Sequence, residues 1–369
     1  MDNSTAIEPE NRKNKLNWGK IINTILNSGF AMSIIALLVS LAALSGLAAI
    51  FGANPLDVIA RLFEGALAGR QQFVFTLTQS TPLILASLAV YIPYRAGFFN
   101  IGGQGQLHIA ALASVLVTVY VDAPPIVVIP LALIAGMVVA MLAVALPLFL
   151  KLKRGSNEVT LTIMMTFVLT HLTYALVTTV FQEPGAFFGT TRPVPHAFRL
   201  PIFPQALGMH AGIYIALIVS VLAYLILRNT VGGVHLKAAG LNPTASKTVG
   251  IKVNKMIIIS VLVGAACAGL AGSIQVMGSS FRVAEGWALG WGFAGISVAF
   301  LGRNPLGIIP VAFILSTLQT GARFMQAVTG VPSAIISVME GLPVIVFICL
   351  AAWQQVRLMK KPDVSEGDE

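Results

Sequence analysis

The sequence predicts an all-α integral membrane protein with about ten transmembrane helices, some of them broken, and with both termini in the cytoplasm. Of its 369 residues, 56% are hydrophobic and 10% are charged, whereas a soluble domain carries about 25% charged residues. The charges are clustered between long apolar runs, and a helix needs about 20 apolar residues to cross a bilayer. Composition and charge spacing together therefore exclude a soluble globular fold.

The elements follow in order from the apolar runs. Residues 1–27 form a polar and basic tail, residues 28–353 form the membrane domain, and residues 354–369 form a second polar tail. The first run is longer than the core of a signal peptide, so it is predicted to be an uncleaved span. The ten predicted spans are 28–52, 73–94, 101–120, 125–150, 159–181, 211–227, 256–279, 287–301, 306–326 and 332–353.

Orientation follows from the 23 Lys and Arg residues, because these accumulate in cytoplasmic loops. With a cytoplasmic N-terminus and alternation at each span, 17 of them lie inside and 6 outside. The six predicted outside are Arg61, Arg70, Arg192, Arg199, Arg282 and Arg323. Both tails, 1–27 and 354–369, are therefore predicted to be cytoplasmic.

Two regions depart from a simple helical hairpin pattern. Pro, Gly and polar residues interrupt 73–120 and 287–301, so helices there are expected to break within the membrane. Two connections are long: 182–210, which is Pro-rich and predicted outside, and 229–255, which is basic and predicted inside.

Several function classes are disfavoured by the same composition. The net charge of +9 sits in loops between spans instead of on one face with aromatic residues, so nucleic acid is not an expected partner. Cys267 and Cys349 lie in apolar runs far from any second ligand at metal-binding spacing, which predicts neither a metal site nor a disulfide.

The stretch GFFNIGGQGQLH, residues 97–108, places glycines and amides beside a predicted span. Unpaired polar groups in hydrocarbon cost several kcal/mol, so these groups must face a cavity or one another. If the helix includes Asn100, then Asn100, Gln104 and His108 share one face. They are candidates for a solute path; the alternative is close helix packing held by amides.

The basic connection 229–255 contains a complete set of helix start and stop signals. Asn242 is a favourable N-cap, Pro243 suits the first helical position, and Gly250 suits the residue after the end. The sequence therefore predicts a short cytoplasmic helix of about two turns, flanked by Lys237, Lys247 and Lys252. Such a helix can dock in a partner's groove, or lie against anionic lipid headgroups.

Three stretches carry a resemblance to a known family. FNIGGQGQ resembles the FNIG-x-x-GQ signature of permeases of the nucleoside and simple-sugar type of ABC importer. KAAGLNP at 237–243, with the pair at 250–251, and GWGFAGI at 290–296, leading to AFLGRNP at 299–305, are similar to the same family. Together these stretches cover roughly residues 73–353. The last stretch is similar to nucleoside permeases in particular, with simple-sugar permeases as the runner-up.

The resemblance implies a multi-pass subunit of the bacterial plasma membrane that encloses a solute path and undergoes alternating access. It implies a cytoplasmic ATPase partner that binds ATP and Mg, an external substrate-binding lipoprotein, and a second permease copy or homologue. In this family the segment at Lys237, Gly240, Asn242, Pro243 and Gly250 is the coupling helix region that docks on the ATPase. The chain lacks a G-x-x-x-x-G-K-[ST] loop, which agrees with ATP binding on a separate polypeptide.

Polar residues inside the spans are further candidates for the path, because such residues are costly in hydrocarbon. Glu340 lies in the last predicted span; it either contacts solute or bonds a neighbouring helix. A stripe containing Glu158, Thr162 and Thr166 runs along the fifth span, and could equally be a packing feature. Gln275 and Gln319 add amides at comparable depth.

Aromatic side chains suit a nucleoside base, because base stacking contributes about 1–3 kcal/mol. The candidates for this contact are Phe98, Phe99, Trp291 and Phe293, with Trp287 more typical of a membrane interface.

Two other function classes compete with the permease interpretation. A stand-alone proton-coupled transporter would use Glu158, Glu340 or His171 to carry protons. A membrane-embedded enzyme would need paired carboxylates, a metal cluster or a nucleophile with its base, and the sequence places none at a suitable spacing, so no catalytic residue is predicted.

Overall fold

The computed structural model describes residues 54–329 except 204–207 and 288–289, together with scattered positions between 38 and 49 and residues 345 and 349. Within this part the chain is helical, and the prediction of an all-α protein is confirmed. The helices are α1 Pro55–Leu67, α2 Arg70–Arg95, α3 Gly103–Tyr120, α4 Pro125–Arg154, α5 Glu158–Thr179, α6 Gly212–Asn229, α7 Val231–Leu241, α8 Pro243–Thr248, α9 Val253–Gln275, α10 Trp291–Gly302 and α11 Pro305–Thr329.

Eight of the ten predicted spans fall on described residues, and each coincides with a helix, α2–α6 and α9–α11. Six of these are long and apolar enough to cross a membrane: α2, α4, α5, α6, α9 with the π-helical turn that follows it, and α11. α10 is apolar but has 12 residues, which is about 18 Å and too short for a full crossing. The predicted spans 28–52 and 332–353 lie almost entirely outside the described residues.

The centre of the molecule is built from α2 and α9. Both helices are buried over much of their length, and α2 packs on α9 and α10 while α9 packs on α3 and α4. Small residues allow these close contacts: a Cβ on Gly269 would lie 2.6 Å from the carbonyl oxygen of Gly136 on α4. Ser114 on α3 and Ser273 on α9 join these two helices with a 2.7 Å hydrogen bond between their hydroxyls.

Two helical breaks fall where Pro and Gly interrupt the sequence. Residues 96–102 are non-helical between α2 and α3, and residues 281–287 and 290 are non-helical between the π-helical turn Val276–Ser280 and α10. The helix at the predicted span 287–301 therefore begins at Trp291 instead of residue 287. Both segments lie beside the core, where their backbone groups need partners within the protein.

The connection 182–211, described over 182–203 and 208–211, forms a strap across the second break. Its backbone N–H groups at Thr191, Val194 and Leu200 donate to the carbonyl oxygens of Val283, Phe281 and Met277 at 2.7–3.1 Å. Two charged contacts also hold the strap to this segment. Arg282 forms an ion pair with Glu183 at 3.2 Å, and Arg199 makes a cation–π contact 4.0 Å from the centre of the Phe281 ring. The strap is thus fixed to the segment that leads into α10.

Candidate functional site

The stretch between α2 and α3 is held by an amide clamp. Asn100 is fully buried, and its Oδ1 accepts hydrogen bonds from the Gly102 backbone N–H at 3.0 Å and the Gln106 amide at 3.3 Å. Its Nδ2 donates to the Gln106 side-chain oxygen at 3.3 Å and to the Ala89 carbonyl at 3.4 Å. Asn100 precedes the helix, so it does not share a helical face with Gln104 and His108 as the sequence had suggested.

The threonine stripe of α5 binds the same stretch from the other side. The Ile101 N–H donates to Thr162 Oγ1 at 3.2 Å, and Thr166 Oγ1 donates to the Ile101 carbonyl at 3.3 Å. Both threonines are buried. A Cβ on Gly105 would lie 2.8 Å from Thr166 Cα, which explains why glycine occupies that position. These threonines hold the Ile101 backbone in place.

His108 joins α3 to the second break. Its Nδ1 lies 2.8 Å from the Gln104 carbonyl oxygen, and its Nε2 lies 2.7 Å from the Trp287 carbonyl oxygen. The Tyr174 hydroxyl completes the cluster, 3.2 Å from His108 Nε2 and 3.3 Å from the Trp287 oxygen. The rings of Tyr174 and Trp287 meet the imidazole edge to face, with centroids 5.6 and 5.8 Å away.

Gln104 makes the second contact between these segments. Its side-chain oxygen accepts from the Gly292 N–H at 2.5 Å, near the start of α10. A Cβ on Gly292 would lie 2.4 Å from the Gln104 backbone, so a side chain there would push α10 away from α3. The FNIGGQGQ and GWGFAGI stretches, far apart in sequence, are therefore in direct contact.

Other predicted amides lie deeper among the central helices. The Gln275 amide donates to Gln79 Oε1 at 3.3 Å, while its own Oε1 is buried without a hydrogen-bond partner among the described residues. Gln319 on α11 is 6% exposed. Glu340 lies outside the described residues.

The aromatic candidates separate into different environments. Phe98 is 1% exposed and packs in an apolar cluster with Val144 and Val261, which makes it a core residue. Phe99 is half-buried, and Phe293 is 42% exposed. Trp291 is 7% exposed, with its ring 5.9 Å from that of Trp287.

The predicted short helix in the basic connection is confirmed as α8. Asn242 Oδ1 accepts from the Ala245 N–H at 3.0 Å, Pro243 is the first helical residue, and Gly250 has a φ of +84°. The sequence did not reveal α7, which precedes α8 and ends at Leu241, next to Asn242. Within the described residues no three His, Cys, Asp or Glu side chains meet at a metal-binding spacing.

The α7–α8 segment rests directly on the end of α2. A Cβ on Gly240 would lie 2.3 Å from the Arg95 carbonyl oxygen and 2.9 Å from the Gly97 nitrogen. Gly97 has a φ of +82°, a conformation that favours glycine. A Cβ on Gly97 would lie 3.4 Å from Gly240 Cα. Movement of α7 must therefore reach the stretch that carries Asn100.

Three polar contributors were missed by the sequence: Gln79, Tyr174 and the Trp287 carbonyl. Gln79 and Tyr174 are single polar residues within apolar runs, which is a weak signal, and a backbone carbonyl gives no sequence signal. The Trp287 Nε1 is also buried without a hydrogen-bond partner among the described residues. The arrangement is a chain of amides, imidazole and hydroxyls along interrupted helices.

Comparison with known proteins adds a family to this geometry. The family model described as "Branched-chain amino acid transport system / permease component" matches residues 72–350. The match spans every described transmembrane helix from α2 to α11. With the six helices long enough to cross a bilayer, it makes the chain a multi-pass protein of the bacterial plasma membrane.

Curated relatives cover most of the chain. The guanosine ABC transporter permease protein NupP of Bacillus subtilis is 32% identical over 87% of this chain and 93% of its own length. The nucleoside ABC transporter permease protein NupB of Lactococcus lactis is 32% identical over 86% and 90%. The glucose ABC transporter permease protein TsgB13 of Haloferax volcanii is 30% identical over 83% of each chain. The chain belongs to this family of ABC transporter permease components.

Proposed function

We propose that the chain forms the translocation path for nucleosides in an ABC importer. The proposed substrate rests on the similarity to NupP and NupB, whose names specify guanosine and nucleosides. Each is 32% identical to this chain over more than four-fifths of its length. The buried amides and aromatic rings around Gln104, His108 and Trp291 support it, because a nucleoside combines a flat base with hydroxyl groups. Gln275 Oε1 and Trp287 Nε1 are buried without hydrogen-bond partners among the described residues, so a solute that enters the path would supply each of them with a partner.

The proposed topology has ten spans with both termini cytoplasmic. The helical order supports it: when the spans alternate, α7 and α8 lie inside and the strap 182–211 lies outside. The ten proposed spans are α2–α6, α9–α11, the first predicted span, 28–52, and the last, 332–353.

The proposed partners follow from the family. A cytoplasmic ATPase carrying ATP and Mg docks on α8 through Asn242, Pro243 and Gly250, and its closure moves α7. Lys237 and Gly240 transmit that movement to the end of α2. An external substrate-binding lipoprotein delivers the solute, and a second permease copy or homologue closes the path within the lipid bilayer.

Uptake in cells tests the substrate. Radiolabelled guanosine and uridine are supplied to cells with and without the gene, in a strain that has no other nucleoside uptake route. Each label is competed with excess unlabelled nucleoside, ribose and glucose. We expect uptake to disappear on deletion and to be competed by nucleosides but not by the sugars. Nucleoside uptake that survives deletion would reject the proposal.

Simple sugars are the second candidate, and the similarity to TsgB13 favours them. Loss of ribose or glucose uptake on deletion, with nucleoside uptake unchanged, would select this candidate.

A proton-coupled transporter is not favoured. Glu158 is paired with Lys151 at 2.6 Å, and His171 is exposed on the outer face of α5, so neither lies in the polar chain. Uptake by the purified chain in liposomes, driven by a proton gradient and without an ATPase, would support the proton-coupled hypothesis instead.

A further inference from the structure

A polar cavity of about 290 Å³ lies between α7 and the end of α2, outside the polar chain described above. Its walls include Tyr94, Arg95 and Phe99 on one side and Lys237 and Gly240 on the other, with Glu158 from α5. The volume is at the lower end of the range for small-molecule sites. In the proposed topology the cavity opens towards the cytoplasm.

The charges around the cavity favour an anion. The Nε of Arg95 is buried without a hydrogen-bond partner among the described residues, which is a costly state for a guanidinium group. Lys237 is half-buried on the facing helix. The one acidic side chain of the lining, Glu158, already forms an ion pair with Lys151 at 2.6 Å. Once Glu158 is paired, the charged side chains left in the lining are the cations Arg95 and Lys237, which face each other across the cavity.

The apolar part of the wall is aromatic and well packed. The rings of Tyr94 and Phe99 lie 6.1 Å apart, and both contact the ring of Phe300, at 5.0 and 5.7 Å. Each pair meets edge to face, a favourable arrangement for aromatic rings. A ligand in this cavity is therefore offered a fixed aromatic wall beside two cationic side chains.

We propose that this cavity is a binding site for a phosphate monoester with an aromatic portion, namely a nucleoside monophosphate. The phosphate carries nearly two negative charges at neutral pH, and Arg95 and Lys237 supply the matching donors. The base lies against Tyr94 and Phe99. The site is distinct from the transport path, because a nucleoside lacks the group that the two cations bind.

Occupation of the cavity has a mechanical consequence that rests on the proposed function. Gly240 forms one wall and packs on the turn at Arg95 and Gly97, so a bound ligand bridges α7 and α2. It thereby opposes the relative movement that ATPase closure would impose. The phosphorylated form of an imported nucleoside, made by a kinase reaction inside the cell, would in this way slow further import.

Direct binding tests the site. Equilibrium dialysis of radiolabelled GMP and UMP is performed with the full-length chain in nanodiscs of neutral lipid, without the ATPase, so that its nucleotide site does not contribute. We expect saturable binding that weakens about tenfold or more in both Arg95→Gln and Lys237→Gln, because each loses a charge-assisted hydrogen bond. Lys247→Gln, an exposed lysine on α8 outside the cavity, is the matched control and keeps full binding.

Competitors identify the ligand class. Unlabelled monophosphate should displace the label, whereas guanosine and inorganic phosphate at the same concentration should not. Displacement by guanosine would assign the label to the transport path, displacement by phosphate would make the site a simple anion site, and loss of binding in nanodiscs of anionic lipid would assign it to a lipid headgroup. Each of these results, or no binding at all, overturns the proposal. Because binding is measured without uptake, its failure leaves the proposed transport function intact.

Discussion

His108 lies between two carbonyl groups, one in its own helix and one in the broken segment before α10, and its neutral ring can donate to one of them at a time. The Trp287 carbonyl lies 2.7 Å from His108 Nε2 and has no position in a regular helix. A buried carbonyl left without a donor costs about 1–3 kcal/mol. The imidazole therefore fixes the entry of α10 relative to α3.

Replacement of this histidine by an apolar residue tests that role. We expect His108→Leu to lower the free energy of unfolding by about 1–3 kcal/mol and to reduce uptake severalfold, because the Trp287 carbonyl loses its 2.7 Å contact and keeps only the 3.3 Å hydrogen bond from the Tyr174 hydroxyl. Thermal unfolding of the purified chain in nanodiscs and uptake in cells measure the two effects. His171→Leu, on the exposed face of α5, is the control and should change neither. Equal stability and uptake in both variants would contradict the assigned role.

His210 is a second buried histidine, located in the strap just before α6. Its Nδ1 accepts from the Gly212 N–H at 3.1 Å, and its Nε2 has no hydrogen-bond partner among the described residues. Burial lowers the pKa of His210 to about 4, from an ordinary value of 6.5. The folded strap thus holds this imidazole in its neutral form.

The depressed pKa of His210 predicts a loss of stability in acid. Above about pH 6.5 folded and unfolded chains both carry a neutral imidazole; between pH 6.5 and 4 the unfolded chain binds a proton that the folded chain excludes. We expect this group to cost about 1.4 kcal/mol per pH unit in that window. Thermal unfolding between pH 7 and 4.5 measures it. His210→Gln should flatten the profile, whereas the exposed-site control His196→Gln should retain it; identical slopes would refute the prediction.

The sequence identified Asn100, Gln104 and His108 as functional candidates because polar groups beside a span must be paired. It could not identify the pairs. The partner of His108 is a backbone carbonyl 179 residues away, and that of Gln104 is a backbone N–H 188 residues away. Neither group has a side-chain signature, so their pairing depends on tertiary packing alone.

The helices differ in how far local signals specified them. α8 was predicted to the residue at its start because Asn242 and Pro243 are strong local signals. α1 was missed although Asn54 caps it and Pro55 begins it, because its amphipathic sequence does not resemble a span. The strap was missed because its hydrogen bonds join residues 77–92 positions apart, such as Thr191 and Val283.

The packing of α7 on α2 predicts that a side chain at position 240 will uncouple transport from ATP hydrolysis. In Gly240→Val the new Cβ would lie 2.3 Å from the Arg95 carbonyl oxygen, so α7 must shift away. We expect the assembled transporter to hydrolyse ATP while uptake falls at least tenfold. ATPase and uptake assays on the same proteoliposomes measure the ratio. Gly232→Ala is the control on the same helix, since a Cβ there meets no atom closer than 3.7 Å. Coupled ATP-driven uptake in Gly240→Val would reject the role of α7.

Contacts in the molecule connect its two proposed membrane faces in one continuous path. α7 rests on the turn at Gly97, and the adjoining stretch leads through Gln104 and His108 to the segment before α10. That segment continues from Val283, which is bound to the strap. A displacement of α7 can thus reach the strap through these contacts without involving α4 or α6.

This path has functional meaning if the strap and the α7–α8 segment lie on opposite sides of the membrane, as the distribution of Lys and Arg predicts. Single cysteines at Arg192→Cys, in the strap, and Lys153→Cys, in the last turn of α4, test that arrangement, since both positions are exposed. A Cys349→Ser background removes one native thiol, and Cys267 is 3% exposed and shielded from reagent. In protoplasts, a membrane-impermeant maleimide should label Arg192→Cys at once and Lys153→Cys only after the membrane is opened. The reverse pattern would invert the topology and place the coupling segment outside, where no ATPase could reach it.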